Sequence, residues 1–77
     1  MRVTVEFVGP MRRPWPERRR QIEVVESSSI AELLRSLGYG DEEARHFSFL
    51  VAGGKASLDT VLQPDTRVSV LLMVGGG

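Results

Sequence analysis

The sequence predicts an α+β domain in which one helix packs across a mixed β-sheet. Three observations indicate this class. Val3, Val5 and Phe7 alternate with polar residues, as on a strand that has one buried face. Ser29 and Glu32 bracket the start of a helical stripe of apolar residues. The chain ends in an apolar, β-branched run followed by glycines, which is typical of a central strand covered on both faces.

Length and composition limit the class of protein. A chain of 77 residues forms one domain and leaves little room for a catalytic cleft, which favours a carrier, a binding module or a subunit over an enzyme. The absence of cysteine excludes disulfides and thiolate metal sites. Met1 is not followed by the apolar run of a signal peptide, and no segment is long enough to span a membrane. We therefore expect a cytoplasmic protein.

Two strands and a long loop are predicted before the helix. The first strand ends at Gly9-Pro10, and residues 9–20 form a loop because three prolines remove amide donors. Trp15 lies between two of these prolines, among five arginines. We expect its ring to fold back over the sheet beneath arginine side chains, or the loop to dock on a partner. Residues 21–25 resume the alternation and pair antiparallel with the first strand.

The helix has the clearest boundaries in the sequence. Ser29 is a good N-cap, and Glu32 three residues later completes a capping box. Gly38 suits the left-handed conformation that ends many helices. The helix therefore spans about residues 30–37, and its apolar stripe, which must lie on the sheet, consists of Ile30, Leu33, Leu34 and Leu37.

The second half of the chain predicts three further strands and the turns between them. A connector over residues 39–45 contains one helical turn that Asp41 caps. Gly53-Gly54 predicts a tight hairpin, and Pro64 occupies the second position of a β-turn. The strands are expected at residues 47–51, 55–57 and 68–74, with the last one parallel to the first in the middle of the sheet.

The three terminal glycines cannot extend a packed strand, since they have no side chain to bury. We therefore interpret residues 1–74 as the folded domain and residues 75–77 as a flexible tail. The α-carboxylate of Gly77 is ionised at neutral pH and is the candidate functional group. It is unreactive at its carbonyl carbon until another molecule activates it.

The whole chain resembles the ubiquitin-like β-grasp proteins of the MoaD/ThiS sulfur-carrier family. The resemblance rests on the order of elements and on the hairpin at residues 51–55, the turn at 64–66, the hydrophobic last strand and the terminal Gly76-Gly77. It implies a mixed sheet of four to five strands with one main helix. It also implies that the protein is a carrier or a small synthase subunit rather than an enzyme, without a metal or a bound cofactor.

The resemblance further implies a reaction at the terminus. An E1-like adenylating enzyme would use ATP to activate the Gly77 carboxylate, and a sulfur donor protein would convert the adenylate to a thiocarboxylate. A synthase subunit would accept the sulfur for a molybdenum or tungsten pterin cofactor, or for thiamine. Gly77 and Gly76 are the predicted reactive end, and the predicted partner contacts are Gly75, Val74, Met73, Leu71 and Phe49.

Two other functions remain open from the sequence. A ubiquitin-like modifier would also be adenylated at Gly77, but would then form an isopeptide bond with a lysine. An interaction module would use the loop at residues 9–20 to bind protein or nucleic acid, and its tail would be idle. The formal net charge of zero argues against nucleic acid as the partner.

Overall fold

The computed structural model describes residues 1–72 of the chain. Within that range the chain forms a sheet of five strands and two helices. Their bounds are β1 (Arg2–Val8), β2 (Arg19–Glu23), α1 (Ile30–Ser36), α2 (Asp41–Ala44), β3 (Ser48–Val51), β4 (Gly54–Ala56) and β5 (Arg67–Leu71).

The strands are arranged in the order β2-β1-β5-β3-β4. The first and last strands are parallel and adjacent, with Val5 opposite Val68 and Phe7 opposite Val70. All other pairings are antiparallel. The predicted β-grasp fold, with parallel first and last strands in the middle of the sheet, is therefore confirmed.

One face of the sheet and one side of α1 form the hydrophobic core. Alternate residues of β1 and β5 point to this face, and each is at most 1% exposed. Burial of each such side chain contributes about 1.5–3 kcal/mol. The largest fully buried side chains are Phe7, Ile30, Leu33, Leu34, Leu62, Val3, Val5, Val68 and Val70.

Among residues 1–72, no helix covers the opposite face of the sheet. On β5, Val68 and Val70 are buried, whereas Ser69 and Leu71 are only half-buried and Arg67 is exposed. The expectation of a last strand covered on both faces is therefore wrong, although its central position is right. Because the core forms on only one face of the sheet, exposure alternates along β5.

The second strand begins two residues earlier than predicted. Arg19 pairs with Glu6 and Arg20 pairs with Val5, so the chain joins the sheet at these two arginines. At the other end the strand stops at Glu23, and Val25 is 81% exposed. The pairing with β1 sets these bounds, whereas the sequence offered only the alternation over residues 21–25.

The tight hairpin between β3 and β4 is one residue out of the predicted register. Val51 pairs with Gly54, so the two loop residues are Ala52 and Gly53 rather than Gly53 and Gly54. Both have positive φ, at 50° and 85°. Type I′ turns require this combination because their twist matches that of the flanking strands.

The predicted helix cap is confirmed in detail. The Ser29 hydroxyl accepts a hydrogen bond from the backbone N–H of Glu32 at 3.2 Å, and the N–H of Ser29 donates to the Glu32 carboxylate at 2.9 Å. The hydrogen bond that the Ser29 N–H donates to the carboxylate is the main cause of a lowered pKa of the Glu32 carboxyl group. Gly38 follows the helix with φ of 92°, as expected. Asp41 differs from the prediction, because it is the first residue of α2 and Gly40 occupies the N-cap.

Within residues 1–72 no helix has the length and apolar composition needed to cross a bilayer.

Replacement of the helix cap is expected to destabilise the domain measurably. Ser29→Ala removes the acceptor for the Glu32 amide, and we expect a loss of about 1 kcal/mol in the free energy of unfolding. Urea denaturation followed by circular dichroism measures the change. Ser48→Ala is the matched control, because Ser48 is exposed on β3 and its side chain forms no hydrogen bond among residues 1–72. Equal losses in the two variants would contradict the importance of the cap.

Candidate functional site

The central strand β5 ends at Leu71, and the chain leaves the sheet at Leu71 and Leu72, which we call the tail root. The backbone N–H of Leu72 donates to the carbonyl of Val8 at 3.0 Å, which extends the parallel pairing by one residue beyond β5. The tail root is therefore held by β1. The remaining predicted site residues lie outside the described range, namely Met73, Val74, Gly75, Gly76 and Gly77.

Gly9 allows β1 to pass close to the tail root. Its φ is 110°, and a Cβ atom at this position would overlap the carbonyl oxygen of Leu72. A side chain there would meet both a strained backbone and a steric clash. The sequence indicated Gly9 only as the end of a strand, because its contact with Leu72 is visible only in the folded chain.

The loop after β1 is held by contacts with α2 and with the segment between the two helices. The Arg12 guanidinium donates two hydrogen bonds to the Glu43 carboxylate, at 3.1 and 2.7 Å, and a third to the carbonyl of Gly38 at 3.0 Å. It also lies 4.5 Å from the centre of the Tyr39 ring. In return the Tyr39 hydroxyl donates to the carbonyl of Arg12 at 2.6 Å. These contacts fix the start of the loop beside the tail root.

A row of four aromatic rings lies beneath the loop. Trp15 packs edge-on against Phe7 with centroids 5.7 Å apart, and Phe7 contacts Tyr39 at 5.9 Å. Tyr39 in turn contacts Phe47 at 5.5 Å. The guanidinium of Arg20 lies 5.1 Å from the Trp15 ring. The prediction that Trp15 folds back over the sheet beneath an arginine is confirmed.

Two hollows flank the tail root. The larger one, the hairpin cleft, has a volume of about 550 Å³ and lies beside β3, β4 and the segment that follows β4. Leu71 forms one of its walls. Its apolar lining includes Phe49, Leu50 and Leu58, and the cationic residues Arg45 and Lys55 also border it.

The smaller hollow, the loop hollow, has a volume of about 430 Å³. Leu72 lines it, together with Met11 and Phe47 and the polar side chains of Glu43 and His46. Consecutive residues of the tail root therefore line different hollows. Within residues 1–72 no three His, Asp or Glu side chains come together as they would around a metal ion.

The two predicted partner contacts within the described range lie in different environments. Leu71 is half-buried and faces away from α1, between Val8 and Ser48 on the neighbouring strands. Val8 is 40% exposed, so this part of the uncovered face is open to a partner. Phe49 is only 5% exposed and belongs to the core. It reaches the surface as part of the hairpin cleft.

Comparison with known proteins identifies structural neighbours. No protein-family model matches the sequence, and no curated protein is significantly similar to it. Small archaeal modifier protein 1 from Haloferax volcanii matches with a TM-score of 0.71 and 13% identity, over 95% of this chain and 98% of that chain. A second crystal structure, of SAMP1 from Haloferax volcanii, gives 0.69 and 15% identity over the full length of both chains.

A third neighbour belongs to a two-subunit assembly. It is subunit 1 in the complex of subunits 1 and 2 of the molybdopterin-converting factor from Helicobacter pylori 26695. The TM-score is 0.66 and the identity 25%, over 100% of both chains. The fold and the central last strand define a small β-grasp protein. The neighbours are consistent with the MoaD/ThiS-like sulfur carriers that the sequence resembles.

Substitution of Gly9 tests how closely the tail root is packed against β1. Gly9→Ala adds backbone strain of about 1–3 kcal/mol and a clash with Leu72, so we expect a larger loss of stability in urea denaturation than for an ordinary glycine. Gly54→Ala is the control, since its Cβ would lie 3.7 Å from the nearest atom, the carbonyl oxygen of Val51, which is ordinary contact distance. A Gly9→Ala variant as stable as Gly54→Ala would show that Leu72 is not packed there.

The contact between Tyr39 and the loop predicts a pH dependence. Burial raises the pKa of the Tyr39 hydroxyl, and the nearby Arg12 partly opposes this shift. The contribution of Tyr39 to stability is therefore full below its unfolded pKa of about 10, and is lost as the pH rises through the folded value. Tyr39 is the only tyrosine in the sequence, so ultraviolet absorbance follows its titration directly. We expect a midpoint above 10 in the folded protein.

Tyr39→Phe serves as the matched variant for that titration. It removes the hydrogen bond to the Arg12 carbonyl and is expected to cost about 1 kcal/mol at neutral pH. It should also show a smaller decline of stability above pH 10 than the wild-type chain, as measured by urea denaturation. A folded-state midpoint below 10, or the same alkaline decline in both proteins, would contradict the burial of this hydroxyl.

Proposed function

We propose that this chain is a sulfur carrier that presents the Gly77 carboxylate to partner enzymes. The observation that supports the proposal best is the position of β5, which brings the end of the chain out of the middle of a β-grasp sheet. The match to subunit 1 of a molybdopterin-converting factor, at 25% identity over the full length of both chains, supports the same function. As a carrier or small subunit, the chain would supply the group that reacts, and its partners would supply the catalysis.

The proposed chemistry takes place at the carboxyl carbon of Gly77. An E1-like adenylating enzyme would bind ATP, the carboxylate oxygen would attack the α-phosphorus, and pyrophosphate would leave. Sulfide from a sulfur donor protein would then displace AMP and leave a thiocarboxylate. Gly76 and Gly75 suit this step because an active-site channel that admits only a backbone can accept them. Three extended residues reach about 10 Å into such a channel.

We assign the sulfur acceptor to a synthase subunit of a cytoplasmic pathway that makes a molybdenum or tungsten pterin cofactor, or thiamine. The assembly of the Helicobacter pylori neighbour with subunit 2 supports a partner of this kind. Partner contacts would come from Leu71 on the uncovered face, from Phe49 through the hairpin cleft, and from the segment at residues 73–75.

A second candidate function is that of a protein modifier joined through Gly77 to a lysine. It is favoured by the structural match to small archaeal modifier protein 1, which at 13% identity shows a shared fold. The third function that the sequence left open, an interaction module built on the loop, is less well supported. Arg12, Trp15 and Arg20 all contact other parts of the domain, so these side chains are already engaged.

Intact mass spectrometry tests the carrier function. The full chain is incubated with ATP, an E1-like adenylating enzyme and a sulfur source. We expect the mass change that corresponds to replacement of one oxygen atom by sulfur. An unchanged mass, with the enzyme shown to be active on its own carrier, would contradict the proposal.

A chain with one alanine added after Gly77 is the matched control for that reaction. It keeps every residue of the domain but moves the carboxylate away from the glycine end, so it should stay folded and acquire no sulfur.

A denaturing gel of cell extract separates the two candidate functions. A ladder of covalent conjugates supports the modifier, and its absence together with the sulfur mass change supports the carrier.

A further inference from the structure

The hairpin cleft exists because β4 is short. Ala56, the last residue of β4, pairs with Phe49, so β3 has no β4 partner opposite Ser48. The chain then turns away from the sheet towards the start of α1, where the N–H of Ala31 donates to the carbonyl of Leu58 at 3.0 Å. This anchor keeps the segment after β4 away from the sheet edge. The cleft is therefore built into the fold.

The lining of the hairpin cleft suits an apolar side chain. Leu50, Leu58 and Leu71 contribute aliphatic surface, and Phe49 contributes an aromatic ring. Leu50, Leu58 and Leu71 are all half-buried. A volume of about 550 Å³ falls within the range of pockets that enclose an organic group.

The charges around the cleft are all positive. Arg45 and Lys55 are its charged lining residues, and no acidic residue lines it. Lys55 forms no ion pair within residues 1–72. The ion pair of Arg45 with Glu42 is highly exposed on both sides and weakly held, so its guanidinium is free to change partner. Charge complementarity therefore favours an acidic partner surface.

The cleft lies beside the point at which the chain leaves the sheet. Leu71 is both a wall of the cleft and the first residue of the tail root. A protein that holds the chain from Leu72 onward is therefore placed close to this wall. The adenylating enzyme and the synthase subunit both act at the Gly77 carboxyl group, and we take the adenylating enzyme, which acts first, as the partner at the cleft.

We propose that the hairpin cleft receives an apolar side chain from an acidic segment of the adenylating enzyme, and so docks the carrier for activation. This inference rests on the proposed function. The apolar side chain lies between Leu50, Leu58 and Leu71, and carboxylates on either side of it pair with Arg45 and Lys55. Docking at the cleft holds the domain while the tail enters the active site.

Charge reversal at the rim tests the inference with the full chain. In Arg45→Glu/Lys55→Glu both cations become acidic. We use "charging" for the ATP-dependent conversion of the Gly77 carboxylate to a thiocarboxylate, and we expect the KM of the carrier in this reaction to rise about tenfold with kcat unchanged. The rate is measured by intact mass at a series of carrier concentrations. The difference from the wild-type chain should shrink as salt is added, because salt screens these charges. Ser57→Trp fills the cleft instead, and its raised KM should persist at high salt.

Arg18→Glu/Arg35→Glu is the matched control. It changes the net charge equally, and Arg35 loses an exposed ion pair with Asp41 just as Arg45 loses one with Glu42. Neither residue lines the hairpin cleft. We expect its KM to stay within about twofold of the wild-type value. Circular dichroism and urea midpoints establish that all variants are folded.

The outcomes distinguish failure of the cleft from failure of the proposed function. If the wild-type chain is charged and the cleft variants behave like the control, docking at the cleft is overturned and the carrier function stands. If an active adenylating enzyme does not charge the wild-type chain, both are overturned.

The chain with alanine added after Gly77 allows docking to be measured without the reaction at the carboxylate. It should inhibit charging of the wild-type chain, and Arg45→Glu/Lys55→Glu in that background should weaken the inhibition about tenfold.

Discussion

The parallel pairing of β1 with β5 is the constraint on which the rest of the structure depends. It joins the two ends of the described chain, and every other element lies in the connection between them. The buried side chains of the two strands, including Phe7 and Val70, form the centre of the core. Because this contact closes a long loop, its formation has an entropic cost that the buried side chains must offset. The point at which the chain leaves the sheet is therefore set by contacts between residues far apart in the sequence.

Within the described part of the chain, the helices leave one side of the sheet accessible. Alternation on β5 separates the two roles, since Val68 and Val70 stabilise the domain while Leu71 stays accessible. The same division appears on β1, where Phe7 is buried and Val8 is exposed. Neighbouring residues of one strand can therefore be assigned to stability or to recognition by their direction alone.

Signals that depend on nearby residues were predictable from the sequence. The capping box of Ser29 and Glu32 and the left-handed Gly38 both involve hydrogen bonds or torsions within a few residues. Strand ends were less predictable, because the pairing partner sets them. The contact of Arg12 with Glu43 joins residues 31 positions apart, and the sequence around either residue does not predict it.

The features of the candidate site also differ in whether they follow from nearby residues or only from the folded chain. The importance of the terminal glycines could be inferred from composition and order, and it remains a prediction because those residues lie outside the described range. The tail root, the requirement for glycine at position 9 and the hairpin cleft all arise from elements that meet only in the folded chain. A cleft made by the shortness of β4 has no sequence motif, since its cause is the point at which the chain leaves the sheet.

The hydrogen bond of Leu72 to Val8 fixes the point from which the reach of the proposed carrier can be measured. Five residues follow Leu72 in the sequence. Fully extended, they span at most about 18 Å. Under the proposed function, the active site of a partner would have to lie within this distance of Leu72. The hydrogen bond between Leu72 and Val8 would then set how deep a reactive centre can lie below the docking surface of a partner.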